Sequence, residues 1–287
     1  MYWLLLLIPA VPLGIYLKNL WRYMTRVHPM DIEITRHEVL SADLPPELDG
    51  LILCQISDTH INPKPRNEAA IAEAIRSVNA DLYLLTGDMF RRSQGIPLFL
   101  RWLDELGEHI RPAVAILGNA EHKPRIKPAE FSDALRERGI PVLNNDSIKL
   151  AIRGTEIQIV GVDDPHTEWS DFPAAYSKTD RNRWTLLLCH SPDGLAEMDG
   201  HRADLMLCGH THGGQICFPK VGAMWAHTRR VRGFIAGWYG PDDIARRVSR
   251  KPKVGRLYIS RGLGMGGFPA RLNCRPELAV FTLRRAV

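Results

Sequence analysis

Apolar and polar positions divide this chain into short apolar runs, each of which ends on a polar loop. Residues 51–57, 82–86, 113–117, 184–189 and 205–208 read as strands. After each of the first three comes a stretch with apolar residues at helical spacing, 67–78, 97–106 and about 128–138. Strand, loop and helix thus alternate, the rhythm of an α/β protein. Residues 31–39 alternate well enough to form an earlier strand, which Pro45-Pro46 ends. Residues 148–152 and 157–162 flank Arg153-Gly154-Thr155-Glu156, a hairpin signature that turns the expectation toward a mixed sheet. Further strands are expected at 256–260 and 278–283, on either side of a glycine-rich loop at 262–267. That loop lacks the lysine and helix of a P-loop, and tight turn packing is its default reading.

The N-terminus breaks the rhythm. Residues 1–17 are apolar apart from their tyrosines, Lys18, Arg22 and Arg26 follow, and Trp3, Trp21 and Tyr23 lie near the two ends. A run of about 17 residues is at the short end of what spans a bilayer. Pro9 and Pro12 weaken it as a straight helix, although membrane helices tolerate proline. No positive charge precedes the run and no small-residue cleavage site follows it, which argues against a cleaved signal peptide. Basic residues on its C-terminal side place the rest of the chain in the cytoplasm. The predicted organisation is a membrane anchor with its basic flank over 1–26, a linker and first strand over 27–50, and one domain over 51–287. That domain would sit on the inner (cytoplasmic) membrane, facing the cytoplasm.

Composition narrows the partners. Hydrophobic content of 45% and charged content of 24% suit a globular domain and argue against disorder. A net charge of +5 favours anionic partners. Five cysteines, three of them in strand-like runs (Cys54, Cys189, Cys208), read as buried thiols in a reducing compartment. Within 219–253, nine Lys/Arg stand against two Asp, interleaved with Trp225, Phe234, Trp238 and Tyr239 and without clear periodicity. This segment reads as a surface that meets anionic headgroups, with a solvated insertion as the alternative. Arg229, Arg230 and Arg232 could equally grip a diphosphate. No recognised nucleic-acid module accompanies the charge, so no nucleic acid is expected.

The chemistry lies at the strand ends, where α/β proteins carry it. Collected, these positions are Asp58 with His60, Asp88, Asn119, His190, and His210 with His212. A lone H-x-H is weak; the whole set is not. Oxygen and imidazole donors without thiolates suit manganese, iron, zinc or cobalt, with manganese preferred here. Seven donors exceed one tetrahedral site. Two divalent ions sharing them would lower the pKa of a bridging water and steady the attacking and leaving oxygens in displacement at phosphorus. A non-catalytic scaffold would be expected to have lost such ligands. His28, His37, His109, His201 and His227 lack a partner motif and read as surface or core. His166, after Asp163-Asp164-Pro165, could face the site, but a structural role is favoured.

In this order, D-x-H, G-D, G-N, a lone histidine after a strand and G-H-x-H resemble the calcineurin-like metallophosphoesterase family, over roughly residues 51–283. The resemblance implies a mixed β sandwich flanked by helices, a four-layer αββα fold. It implies that Asp58, His60 and His212 hold one metal, that Asn119, His190 and His210 hold the other, and that Asp88 bridges. The run Gly209-His210-Thr211-His212-Gly213-Gly214-Gln215, with Gly262, Gly264, Pro269, Arg271 and Pro276-Glu277, is similar to a membrane-associated, YkuE-like branch that includes a UDP-2,3-diacylglucosamine hydrolase of lipid A synthesis. A phosphorylated, lipid-linked substrate at a membrane surface is thereby implied; a broad phosphodiesterase or phosphatase on soluble substrates is the alternative. One position departs from the pattern, because Ala120 stands where the family carries a histidine after the asparagine. His122, its ring oriented by Glu121, is the candidate to take over that catalytic role beside Asn119.

Overall fold

The computed structural model describes residues 2–224, 227–250 and 252–286, with residues 2–11 as backbone. Helix α1 (Tyr2–Arg22) leads, followed by β1 (Glu33–Ser41), β2 (Ile52–Ile56), α2 (Glu68–Arg76), β3 (Leu82–Thr86), α3 (Ile96–Leu106), β4 (Ala113–Ile116) and α4 (Pro128–Arg136). Next come β5 (Asp146–Ile152), β6 (Thr155–Val162), α5 (Phe172–Tyr176), β7 (Thr185–Cys189) and β8 (Arg202–Cys208). Small strands β9 (Cys217–Phe218), β10 (Gly222–Ala223) and β11 (Gly237–Tyr239) precede α6 (Pro241–Arg247), β12 (Lys253–Ile259) and β13 (Glu277–Arg285). The strands expected from sequence are present, within a few residues of their predicted ends.

Two mixed sheets result, one ordered β1-β13-β2-β3-β4 and the other β11-β12-β8-β7-β6-β5. In the first, β2, β3 and β4 run parallel while β13 lies antiparallel to β2. In the second, β6, β7, β8 and β12 run parallel, with antiparallel partners β5 and β11 at the two edges. The hairpin between β5 and β6 turns on Arg153 and Gly154, both with positive φ, as a two-residue turn of the primed type demands.

Side-chain alternation decides the layering. Leu186 and Leu188 of β7 join Leu53, Leu84, Val114, Ile116, Leu205 and Leu207 in a core between the sheets. Leu187 and Cys189, pointing the other way, pack with Phe172 of α5 and Ile244 of α6. On the far side, Cys54, Ile56, Tyr83 and Leu85 pack with Ile71, Ile75, Phe99, Leu103, Phe131 and Leu135 of α2, α3 and α4. Strands buried on both faces must read as continuous apolar runs, which is why they were visible in sequence. Truncating a residue of the inter-sheet core, as in Leu188→Ala, is expected to cost about 2–5 kcal/mol, read as a shift in the urea midpoint.

The N-terminal expectation finds no support among the described residues. Although α1 is continuous past Pro9 and Pro12, among the described residues no helix is long and apolar enough to cross a membrane. A spanning anchor over 1–17 is therefore not supported. The side chains of residues 1–11, Trp3 among them, lie outside the described part of the structure, as does Trp225 of the basic segment. The segment after α1 is tied to the domain: Arg271 N–H donates to Met24 C=O at 2.9 Å, Cys274 N–H to His28 Nε2 at 3.2 Å, and Asn67 Nδ2 to Pro29 C=O at 2.9 Å. The helix still presents apolar side chains to solvent, with Leu13, Ile15, Leu17 and Trp21 at least half exposed.

Candidate metal centre

Parallel strands deliver their polar residues to one end of the sandwich. Asp58 and His60 follow β2, Asp88 follows β3, Asn119 follows β4, His190 follows β7, and His210 and His212 follow β8. The loops are knit together by backbone bonds: Asp58 N–H donates to Gly87 C=O and His60 N–H to Asp88 C=O, both at 3.0 Å, and Gly209 N–H to His190 C=O at 2.9 Å. Five of the seven candidates, Asp58, His60, Asp88, His210 and His212, hold positive φ between 46° and 69°. Non-glycine residues rarely adopt this left-handed region, and such strain concentrates at functional sites.

Donor atoms of Asp58, His60, Asp88 and His212 come within 4.8 Å of one another, and all four residues are buried. His60 Nε2 faces His212 Nε2 at 3.0 Å and Asp88 Oδ2 at 3.3 Å, while His212 Nε2 lies 3.4 Å from Asp58 Oδ1. Burial pushes the His60 imidazole down to about 4 and holds that of His212 well below its ordinary value, so both are neutral lone-pair donors at pH 7. Burial likewise lifts the Asp58 carboxyl to about 6.

The second half of the site carries the stronger test of whether metal fits. His210 Nε2 donates to His227 C=O at 2.8 Å, since a carbonyl can only accept. With burial holding that ring down to about 3, His210 Nδ1 is a bare lone pair, 2.7 Å from Asn119 Oδ1, itself an acceptor. His190 Nδ1 similarly donates to Thr86 C=O at 2.7 Å, and its buried Nε2 has no hydrogen-bond partner among the described residues. That nitrogen looks toward Asp88 Oδ1 at 3.4 Å and Asp58 Oδ1 at 4.0 Å. Burial works against a charge on His190, yet the two carboxylates outweigh it and hold the ring well above its ordinary range. Lone pairs facing lone pairs and carboxylates are what a divalent cation relieves, taking the place of the proton. The donors present fit two such ions, with Asp88 reaching both halves.

Glu121 overturns one expectation. Rather than orienting His122, its buried carboxylate accepts from the N–H groups of Asp88 at 2.9 Å, Met89 at 2.9 Å and Gly118 at 2.8 Å. It thereby clamps the loops that carry Asp88 and Asn119, and burial together with Asp88 pushes it up to about 7. His122 donates instead to Asp163 Oδ1 at 2.6 Å and stacks on Trp169 at 5.0 Å between ring centroids. Burial lowers its pKa, but the bond to Asp163 outweighs this and leaves the ring above its ordinary value. Ala120, which lacks the family's imidazole, keeps a role through its main chain, donating to Asp88 Oδ1 at 2.6 Å.

The basic segment also reaches the site. Buried Asp193 accepts from the N–H groups of Arg229, Arg230 and Val231 at 2.7–3.1 Å, pinning the strip that offers its His227 carbonyl to His210. Thr211 Oγ1 donates to Ile235 C=O in the same strip. Burial would raise the Asp193 carboxyl, yet His166 and these amides hold it down to about 2. A depressed carboxylate stabilises the fold above its unfolded pKa of 3.8 and loses that contribution as pH falls toward 2. Asp193→Ala, which strands buried amides, is expected to cost about 3 kcal/mol at pH 7 in urea unfolding, and less as pH drops below 4. Sequence reasoning placed 219–253 on the surface and His227 outside the site. His227 enters through its backbone, for which its side chain gives no signal. His166 stands 4.4 Å from the His210 ring by centroids and 3.4 Å from Asp193 Oδ2.

Comparison with known proteins agrees with this geometry. The sequence profile described as Calcineurin-like phosphoesterase matches residues 52–214. Phosphodiesterase YaeI of Escherichia coli (strain K12) is 31% identical over 265 residues, covering 91% of this chain and 92% of that protein. YkoQ of Bacillus subtilis (strain 168), an uncharacterized metallophosphoesterase, is 28% identical over 263 residues, covering 89% and 92%. UDP-2,3-diacylglucosamine pyrophosphatase LpxG of Chlamydia trachomatis serovar D is 26% identical over 312 residues, covering 91% and 92%. A profile match across more than half the chain, on the strand ends that carry the clustered donors, shows that the chain belongs to the calcineurin-like phosphoesterase family and is a metal-dependent phosphoesterase.

Proposed function

We propose that this protein hydrolyses a phosphodiester or diphosphate bond in a membrane-associated amphiphile, with UDP-2,3-diacylglucosamine as the specific substrate. The observation that carries the hydrolysis is the packing of the His60, His212, His190 and His210 ring nitrogens against one another and around two carboxylates, with His190 Nε2 left without a hydrogen-bond partner among the described residues. Asp58, His60, Asp88 and His212 would hold one divalent ion, and Asp88, Asn119, His190 and His210 the other. When bound, such ions polarise a phosphoryl oxygen and lower the pKa of water.

The chain's own residues do the rest. Thr86 and His227 carbonyls fix the tautomers of His190 and His210, so the correct nitrogens face inward. Ser57 Oγ donates to Asp58 Oδ2 at 2.6 Å, and the His210 N–H to both of its oxygens, so this carboxylate cannot rotate away. His122, its Nε2 committed to Asp163, keeps Nδ1 as the nitrogen to pass a proton to the leaving oxygen. On that reading His122→Ala lowers kcat/KM by about a hundredfold for an alkoxide leaving group and much less for p-nitrophenolate. Equal losses on both would remove His122 from the chemistry.

Support for an amphiphilic substrate comes from the mouth of the site. Trp21 packs edge-on against Phe268 at 5.9 Å between centroids, and both rings are about half exposed. Gln215, three residues after His212, bonds the Phe268 carbonyl, so an apolar shelf adjoins the donors. LpxG, by its name, acts on such a lipid. Favouring the soluble alternative is the 31% identity to YaeI, named only as a phosphodiesterase. Release of UMP from UDP-2,3-diacylglucosamine and from its deacylated analogue, with the protein in detergent and manganese, separates the two. Faster release from the acylated form is expected; equal rates would sink the lipid substrate while sparing the hydrolysis.

A further inference from the structure

Three cations at the rim of the centre have no role in holding ions. Beyond the paired loops of His60 and Asp88, Ile61 bridges to Phe90 in parallel, and Arg91 N–H donates to Ile61 C=O at 3.1 Å. The guanidinium of Arg91 then turns to Gly267, donating to its carbonyl at 2.8 Å. Gly266, the preceding residue, lies against the site itself, since a Cβ built on it would sit 3.2 Å from His212 Nε2. Lys123 Nζ reaches the Arg91 carbonyl at 3.4 Å. Arg66 precedes Asn67, whose Nδ2 donates to Leu263 C=O at 2.9 Å, and Leu263 N–H in turn donates to Ser57 C=O at 3.0 Å beside Asp58; Arg91, after burial, is the next cause holding the Arg66 guanidinium below its ordinary value. Lys123 and Arg91 both act on the His60 imidazole.

None of these three side chains has a carboxylate oxygen within 4.0 Å of its charged nitrogens among the described residues, in contrast to Arg138, Arg153, Arg202 and Arg261. Glu68 is the nearest compensation, and its carboxylate is bonded by the Arg66 backbone N–H. Like charges gathered without counter-charge are costly unless an anion arrives. The arithmetic of the site points the same way. Two dications held by Asp58 and Asp88 would leave an excess of positive charge, which a diphosphate offsets further than a single phosphodiester anion. Adding Arg66, Arg91 and Lys123 suits a ligand with a second phosphoryl group.

We propose that Arg66, Arg91 and Lys123 form an anion subsite beside the His60 and His212 half of the centre, which takes the second phosphoryl of a diphosphate substrate. This rests on the phosphoesterase reading and sharpens its substrate class. Arg91, fixed at Gly267, presents the remaining face of its fork to two oxygens, and Lys123 supplies a point charge. Specificity for a diphosphate over a simple diester then lies in residues that follow the family's motifs rather than in the motifs.

The test is calorimetric titration of the manganese-loaded full chain, at constant free metal, with methylenediphosphonate and with methylphosphonate. Wild type is expected to favour the diphosphonate, and Arg91→Gln, Arg66→Gln and Lys123→Gln each to cut the ratio of the two affinities by about tenfold, the loss of one charge-assisted contact. A ratio that survives all three substitutions overturns the subsite, and so does equal weakening of both ligands. Turnover of a soluble nucleoside diphosphate sugar and of bis(p-nitrophenyl) phosphate is measured alongside. Hydrolysis of the diester alone would reject the diphosphate substrate, while the affinity ratios still decide whether the cations bind a second phosphoryl.

Discussion

Asp88→Ala is expected to lower kcat/KM on any phosphoester by at least about a thousandfold, the largest effect of a single substitution here. Its carboxylate faces His60 Nε2 at 3.3 Å with one oxygen and His190 Nε2 at 3.4 Å with the other. Asp58 also faces both halves, but with a single oxygen and at the longer distance of 4.0 Å from His190 Nε2. Loss of the Asp88 carboxylate therefore removes more than one contact, and the metal content of the purified variant, read by plasma emission, should fall with activity. Asp88→Asn keeps the shape and the Ala120 contact but not the charge, so it should fail almost as badly. Activity within tenfold of wild type, with metal retained, would overturn the bridging role.

Gly209→Ala is the second. A Cβ on residue 209 would fall 2.0 Å from Ser57 Oγ and 2.3 Å from Asp58 Oδ2. Neither side chain has room to retreat, because both are fully buried and bonded to each other at 2.6 Å. The methyl group must therefore displace Asp58 from the position that His210 N–H fixes. Overpacking of this kind costs about 1–3 kcal/mol, and moving a ligand by an ångström costs about a hundredfold in rate. A urea midpoint and a kcat/KM on the same sample measure both. A stable, fully active variant would show that the strand ends are softer than their packing indicates.

Much of the fold and site was legible in the chain because the same runs that form the doubly buried strands also end on the ligands. Leu205 to Cys208 lead straight to His210 and His212, and Leu82 to Thr86 to Asp88, so periodicity located the site before any geometry was known. What escaped were groups whose partners are backbone amides and carbonyls. Adjacency in sequence points Glu121 at His122, whereas its carboxylate serves three N–H groups on two loops. Asp193 and His227 escaped for the same reason, since a carboxylate receiving main-chain donors leaves no spacing pattern. The 219–253 segment showed no periodicity because it contains strands of two or three residues and a seven-residue helix. The apolar start is a case apart: its composition suggests a span, but most of it falls on residues whose side chains lie outside the described part of the structure.

The left-handed backbone at Asp58, His60, Asp88, His210 and His212 sets two properties of the protein against each other. Each such residue stores about 1 kcal/mol that folding must absorb before any ion arrives. The ion-free protein is thus spring-loaded at the very positions that later grip the ions. Replacing one of these residues by glycine would release the strain and remove the grip together. Thermal tolerance without metal and affinity for metal cannot both be raised at these five positions, and lineages of this fold that need one must give ground on the other.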